Sequence, residues 1–451
     1  SGDSATSNVL VLVDGIARNQ QDLSGTDYSS ISLTQIERIE IIRGPSTVRY
    51  GSGASNGVIN ILTRAQPKGS ALELSSRYNS YDNASFAAKT SLAGVDQSIA
   101  IKTDFANNTG YRQHNALRTR NTSLYWRLGN NKQRFFSVTA RKHDDAYQLP
   151  GPLSRADLDS GTIDRRDAEP ARSSAGSSDN ESYALRLQFF NDDEVTVRGI
   201  AYYDDQSRDF VFASSPGNFA SLQASPSAER DRIQSYTHGA DLLADWQPDR
   251  AAIALYAGLA FRHSRYSRTD GGRRRENRLI NEGALNSGAA HVFGEWQASH
   301  SLRVNAGYRR AITSSTFRSA QLKQNENSPE CTRTNVDLGG GNIVTIVDDC
   351  PLRDEERERD EQRWHNEALE MGASLQPSSN HAYYINFAKS YRNPNIDELA
   401  LKPSGEDSLR PQRAGHIEAG YRYAGESISA GLALFHSRTR DEIIFRTDGQ
   451  L

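Results

Sequence analysis

The chain has 451 residues, of which 36% are hydrophobic and 24% charged, with a net charge of −3 and a mean hydropathy of −0.69. That balance argues against a nucleic-acid binder, which shows a basic face, and the lack of any run of 18 apolar residues excludes a transmembrane helix. No basic-then-apolar stretch opens the chain, so any signal peptide is expected to lie outside it. The cations are 45 Arg and eight Lys, and Arg suits anionic ligands through its fork of donors.

The first 70 residues read as a small α/β unit. Val9–Val13 is a short apolar strand that ends at Asp14-Gly15, a turn signal. Ile36, Ile39, Ile41 and Ile42 flank the charged residues Glu37, Arg38, Glu40 and Arg43 until Gly44-Pro45 breaks the segment. Val58–Leu62 reads as a further strand. The glycines of Gly51–Gly57 superficially suggest a phosphate loop, but a strand rather than a helix follows them, so they read as tight turns.

From about Ala71 the pattern changes to period two. Tyr183, Leu185, Leu187 and Phe189 share one face, with Ala184, Arg186 and Gln188 on the other. Ile253, Leu255, Ala257, Leu259 and Phe261 alternate likewise with small residues, and Ile417, Ala419, Tyr421 and Tyr423 alternate with Glu418, Gly420 and Arg422. About 16 such strands are expected, most of roughly 8–12 residues, the length that crosses a bilayer. Short turns near 94–97, 129–132, 191–193, 247–250, 298–300, 376–380 and 424–426 alternate with long polar loops at about 107–118, 143–180, 204–234, 264–287, 312–363 and 392–413. One-sided loop lengths on period-two strands predict a membrane barrel with apolar side chains outward and polar ones inward. A soluble sandwich would alternate too, but would not need such loops.

Cys331 and Cys350 are the two cysteines, in one polar stretch. They predict a disulfide that clamps a loop in an oxidising compartment, worth roughly 3 kcal/mol in the chain-entropy model. Two sulfurs alone make a poor metal site. Asp144-Asp145, Asp192-Asp193 and Asp348-Asp349 lack the spaced ladder of a calcium loop and read as turns. No metal site is expected, no cofactor, and no Ser–His–acid set that would make the chain an enzyme.

Val9–Gly15 and Ile36–Thr63 (IERIEIIRGPSTVRYGSGASNGVINILT) resemble the plug of a TonB-dependent outer-membrane transporter. Tyr391–Leu399 (YRNPNIDEL), Ser408–Gln412 and Ile417–Gly420 resemble later segments of the same family. The resemblance implies an all-β transmembrane barrel of about 22 strands in the full protein around a small α/β plug domain in the lumen, a barrel wide enough to need plugging. It divides the chain into residues 1–70, the C-terminal part of the plug, and 71–451, a barrel incomplete at its C-terminus. The chain is therefore expected to be a fragment of a longer receptor.

By this resemblance Arg18, Asn19, Gln20 and Gln21 rise to the plug apex, with Tyr28 and Thr34 on the same surface, and touch an external ligand; the plain alternative is a solvated loop. Glu37, Arg38, Glu40 and Arg43 are expected to latch the plug to inward-pointing wall carboxylates, Glu370 and Glu418. Tyr147, Phe210, Phe212, Arg273, Arg274 and Arg275 in the loops could gather ligand from outside. The implied function is TonB-dependent import of a scarce nutrient, most commonly a ferric siderophore, across the Gram-negative outer membrane, with cobalamin, haem or another metal chelate as alternatives. The implied partners are an inner-membrane TonB–ExbB–ExbD complex, outer-membrane lipid and the ligand, with no nucleic acid. A passive porin or a barrel enzyme is the alternative class, which the plug segment argues against.

Overall fold

The computed structural model describes residues 8–22, 25–63, 69–129, 134–168, 173–192, 194–213, 229–248, 252–271, 279–325, 328–337, 343–348, 350–401 and 408–444.

The N-terminal unit is a four-stranded sheet. Its strands are β1 (Val9–Val13), β2 (Ile16–Ala17), β3 (Ile36–Arg43) and β4 (Gly57–Thr63), in the order β2-β1-β4-β3. β1 and β4 are parallel, and the other two pairs are antiparallel. Strand β1 is continuously apolar because both its faces are covered. Leu10 and Leu12 pack with Ala54 and Val58 on one side, and Val11 and Val13 pack with Ile61 on the other. Asp14 and Gly15 both have positive φ, 51° and 83°, as a two-residue hairpin turn requires. Gly57 is obligatory for a different reason: a Cβ there would sit 2.7 Å from the carbonyl oxygen of Ile42. Between β3 and β4 lies one helical turn, α1 (Thr47–Tyr50), ended by Gly51 at φ 84°.

The rest of the chain forms one antiparallel sheet of fifteen strands, from Ala71–Asn79 to Ser429–Arg440, each hydrogen-bonded to its neighbours in sequence. One pairing skips ahead: Leu302–Gln324 joins Leu352–Ser378, and the chain between them makes a separate hairpin, Thr332–Asp337 with Ile343–Asp348. Cys331 and Cys350 are disulfide-bonded at the base of that hairpin, with Cα atoms 4.2 Å apart. Among the described residues the first and last strands do not pair with each other. The sheet curves around the N-terminal unit, which touches strands Gln97–Asn108, Phe135–Leu149, Ser173–Asn191 and Val195–Ala213 on one side. On the other it touches Leu279–Gln297, Leu302–Gln324, Leu352–Ser378 and His381–Arg392.

The period-two alternation appears as expected. Tyr183, Leu185 and Phe189 are exposed on the outside while Ala184 is buried inside, and Leu259 and Phe261 are 57% and 49% exposed. Large apolar side chains on the outer face of such a sheet belong against lipid. The short turns lie at one end. At one of them Asp192 accepts the N–H groups of Glu194 and Val195 at 2.9 and 2.6 Å.

The expected loops need correction. Ser173–Asn191 and Val195–Ala213 are paired from Ser173↔Ala213 to Asn191↔Thr196, and Leu302–Gln324 and Leu352–Ser378 run for 23 and 27 residues. Much of 143–180, 204–234, 264–287 and 312–363 is therefore strand. A backbone that must pair its N–H and C=O groups does so by extending the ladder. Beyond the lipid no apolar face is needed, so the alternation that marks a strand in sequence disappears. Of the candidate loop gatherers, Tyr147 and Phe210 meet edge-to-face at 6.3 Å between strands, and Phe212 lies on the strand Val195–Ala213. Arg273, Arg274 and Arg275 lie outside the described residues.

Two further short helices are α2 (Arg155–Asp159) and α3 (Ile396–Leu401). The connection that carries α3 folds into the lumen. Ile396 and Leu399 pack with Ile233, Tyr266, Phe317 and Trp364 of the wall. The start of α3 is a reciprocal cap: Asn395 Oδ1 accepts the Glu398 N–H at 2.8 Å and Glu398 Oε2 accepts the Asn395 N–H at 2.9 Å. Buried Arg392 donates to both Glu398 oxygens at 3.0 and 2.9 Å. The motif YRNPNIDEL thus has a structural reason: it docks one loop against the inner wall.

Candidate functional site

The surface where the N-terminal unit meets the wall is mostly polar, with one apolar anchor: Val48 of α1 is buried among Phe293, Ala311, Ala368 and Tyr391 of the wall. Arg18 pairs with Asp204 and donates to Ser182 Oγ at 3.0 Å. Asp14 pairs with Arg141, accepts the Thr63 N–H and hydroxyl at 2.8 Å each, and its carbonyl takes a guanidinium N–H of Arg186 at 2.8 Å. Asp22 pairs with Arg208, and Ser32 donates to Asp104. Around α1 the Val48 N–H donates to Glu370 Oε1 at 2.8 Å. Arg49 reaches Glu295 at 3.1 Å and lies 3.8 Å from the centre of the Phe293 ring. Ser55 donates to the Tyr391 carbonyl at 3.2 Å.

The expected latch takes a different form. Glu37, Arg38 and Arg43 lie exposed on β3, the edge strand of the four-stranded sheet. Arg38 bonds Glu40 at 2.8 Å and Asn60 bonds Glu40 at 3.0 Å, so this charge pair stays within the unit. The Arg38 guanidinium and the Asn60 amide hold the Glu40 carboxyl below its usual range. Arg43 lines a shared space with Glu370 and Glu418, but no ion pair joins it to either. Glu370 is engaged by the backbone of α1, and Glu418 accepts from the Tyr384 hydroxyl at 2.7 Å. The reason is local. Ile36–Arg43 is a strand at an edge with charges on both faces, so Arg38 and Glu40 pair within the unit and Arg43 only borders the wall, whereas α1 and the segment before Asp22 bond to it.

The six expected apex residues separate into groups. Asn19 is committed to the unit itself: its Oδ1 accepts the Val11 N–H at 2.7 Å and its Nδ2 donates to the Val9 carbonyl at 2.9 Å. Arg18 is committed to Asp204. Thr34 shares a hydrogen bond with Ser32 at 2.9 Å. Gln20 and Gln21 line a cavity of about 330 Å³ between the unit and the wall. Tyr28 is 58% exposed. Arg49, Arg262, Arg309 and Arg392 line that same cavity, against one carboxylate, Asp241. The buried Nε groups of Arg262 and Arg309 have no hydrogen-bond partner. A space with such walls favours an anion.

The α3 helix borders the same region. Its Ile396 N–H donates to the Gln21 carbonyl at 3.1 Å, and Asn395 Nδ2 donates to the Asp22 carbonyl at 3.1 Å. Asp397 accepts from the Tyr266 hydroxyl at 2.8 Å and lies 3.3 Å from Arg268. Burial, reinforced by the nearby Asp22 carboxylate, pushes the Asp397 carboxyl up to about 6. The sequence reading misses the wall partners Asp104, Arg141, Asp204 and Arg208. Their signal was parity, since each is a charged residue on the inward face of a period-two strand.

Residues 125–451 match the family model described as TonB dependent receptor-like, beta-barrel, and residues 2–58 match the TonB-dependent receptor plug domain. Among solved structures, the chain is similar to the ferric yersiniabactin uptake receptor of Yersinia pestis. The TM-score is 0.72 at 16% identity, over 97% of this chain and 64% of that one. It is similar to the ferric-catecholate import receptor of E. coli K12, with a TM-score of 0.70 at 16% identity, over 98% and 67%. A copper transporter gives a TM-score of 0.69 at 16% identity, over 96% and 64%. The chain thus spans about two thirds of the length of these proteins, and at such identities the likeness is one of fold.

Proposed function

The chain belongs to the TonB-dependent receptors, and we propose from this that the protein it comes from imports a scarce nutrient, a ferric siderophore, across the Gram-negative outer membrane. The observation that carries the reading is the contrast between a plug with its own apolar core and a plug–wall surface made, apart from Val48, of ion pairs and hydrogen bonds. Water can replace such contacts one by one, so an external pull can shift the plug without unfolding it. The energy comes from an inner-membrane TonB complex acting on the plug.

The cavity supports an anionic cargo through Arg262 and Arg309, since Arg49 and Arg392 are paired with Glu295 and Glu398. Gln20 and Gln21, which share the cavity with Arg262 and Arg309, and the exposed Tyr28 are the proposed ligand contacts of the original six. Bound ligand would favour the pulled state only through tighter binding to that state. The protein is a receptor and transporter and not an enzyme, so binding and force replace bond chemistry.

The test is uptake by cells that carry the full-length gene. They are offered labelled ferric siderophores, cobalamin and haem, with and without an uncoupler. Uncoupler-sensitive uptake of a ferric siderophore is expected. Uptake of cobalamin or haem alone would keep the mechanism and remove the siderophore, and uptake that ignores the uncoupler would remove the mechanism.

A further inference from the structure

At the outer part of the plug–wall surface three candidate metal ligands converge. Asp27 belongs to the plug, whereas His143 and Asp145 belong to the wall strand Phe135–Leu149; their ligand atoms all lie within 4.8 Å of one another. His143 and Asp145 are 3% and 8% exposed, and Asp27 is half-buried, which leaves an approach from the plug side. The sequence expects a turn at Asp144-Asp145; the strand instead sends Asp145 inward.

The surrounding hydrogen bonds aim the ligand atoms of this cluster at one another. Asp104 accepts from Asn121 Nδ2 at 2.9 Å, so Asn121 turns its carbonyl oxygen to His143 Nδ1 at 2.8 Å. The His143 ring is thereby held with Nδ1 on Asn121 and Nε2 pointing into the cluster, the orientation that a second-shell carbonyl imposes on metal-binding histidines. Asp145 accepts the Ser178 N–H at 2.7 Å through Oδ1, which aims Oδ2 at His143 Nε2, 3.3 Å away. Ser29 Oγ stands in the middle, 2.5 Å from Asp27 Oδ1, 2.7 Å from Asp145 Oδ2 and 3.3 Å from His143 Nε2. Its single proton can serve only one of the three acceptors.

A second observation points the same way. Asn180, 8% exposed, donates Nδ2 to Asp27 Oδ2 at 3.2 Å, while its buried Oδ1 has no hydrogen-bond partner. The two ends of an amide are nearly the same size. A flip of Asn180 turns that unsatisfied oxygen toward Asp27 as a fourth ligand.

We propose that Asp27, His143, Asp145 and Asn180 form a binding site for one divalent transition-metal ion of the Zn²⁺ class, which clamps the plug to the barrel wall. One imidazole with carboxylate and amide oxygens is a borderline donor set that suits such ions. Ligands held about 2.0–2.2 Å from a zinc ion lie roughly 3.3–3.6 Å apart, close to the 3.3 Å between His143 Nε2 and Asp145 Oδ2. Ser29 must rotate its hydroxyl out as the ion enters. This site is separate from the arginine-lined cavity and does not depend on which nutrient is carried.

The experiment uses the purified full-length protein, stripped with a chelator and titrated with Zn²⁺ and, as a spectroscopic probe, Co²⁺. One ion per chain is expected, with a Co²⁺ visible band typical of a closed site. Zn²⁺ should also slow hydrogen exchange in 25–35 and in Phe135–Leu149 together. His143→Ala and Asp27→Asn, one on the wall and one on the plug, should each weaken binding at least about 100-fold and abolish the exchange protection. Ser29→Ala should keep or raise the affinity, which separates ligand loss from general damage. The absence of a one-to-one site, as when a protonated His143 neutralises the cluster instead, would overturn the proposal. So would Zn²⁺ binding that survives both ligand substitutions.

Discussion

The plug is held together in one way and held in place in another. Inside it, Leu10, Leu12, Ala54 and Val58 pack on one face of the sheet, and Val11, Val13 and Ile61 on the other, with hardly a polar atom among them. At its outer surface Arg18, Asp14, Asp22 and Ser32 meet Asp204, Arg141, Arg208 and Asp104. Apolar packing is lost only by unfolding, since a cavity costs contacts that water does not restore. Polar contacts are exchangeable with water at modest net cost. A domain with a dry inside and, apart from Val48, a polar outside can leave its seat whole.

The strongest way to break this comparison is to strand a charge at the seat. Asp14→Ala leaves Arg141 without its carboxylate partner and also removes the acceptor for Thr63. A loss of about 3–5 kcal/mol is expected, by analogy with broken buried pairs. It should appear as faster hydrogen exchange across residues 8–63 and as greater leakage of large antibiotics, with β1 to β4 still paired. Leu12→Ala probes the other side of the comparison. It should cost about 2–5 kcal/mol within the plug sheet, so that β1 and β4 exchange together while the pair of Arg18 with Asp204 is affected only in consequence.

A pH effect sharpens the contrast at α3. The Asp397 carboxyl titrates at about 6 in the folded protein, against about 3.9 in an unfolded chain. The folded state therefore holds the proton more tightly. The stability that this proton brings is complete below about pH 4 and is lost as pH rises through about 6, by up to about 3 kcal/mol. Exchange of the 393–401 segment should speed up over that window, and Asp397→Asn should flatten the profile. The smallest effect is expected from Arg38→Ala. Its partner Glu40 is on the exposed strand β3, and the pair should leave both plug stability and leakage unchanged.

Much of the architecture was legible in the sequence because lipid imposes a strict code. Leu185, Leu259, Phe261 and Ile417 had to face outward, and their spacing of two marks strands wherever the bilayer requires it. The code ends at the membrane surface, which explains why Ser173–Asn180 and Asp204–Ala213 read as loop although both are ladder. The turn at Asp14-Gly15 was legible from its residue pair. The plug–wall partners were not, because inward parity shows which strand residues face the lumen but not how far up the strand each meets the plug. Arg43 illustrates the converse: its place in a recognisable motif suggested a latch, yet β3 is an edge strand and Arg18 and Asp14 make the ties instead. The resemblance made Asn19 a ligand contact; its amide bonds Val9 and Val11 of β1 beyond the end of β2, and the residue also lines the cavity.

The central claim is that the plug moves against the wall during import. A reversible tether tests it most directly. Ser32 and Asp104 have short side chains in hydrogen-bond contact, one on the plug and one on the wall. In the full-length receptor, Ser32→Cys combined with Asp104→Cys should form a disulfide on oxidation. The oxidised receptor should still bind its ligand but import none, and reductant should restore uptake. Import at the untethered rate by the oxidised form would contradict the account.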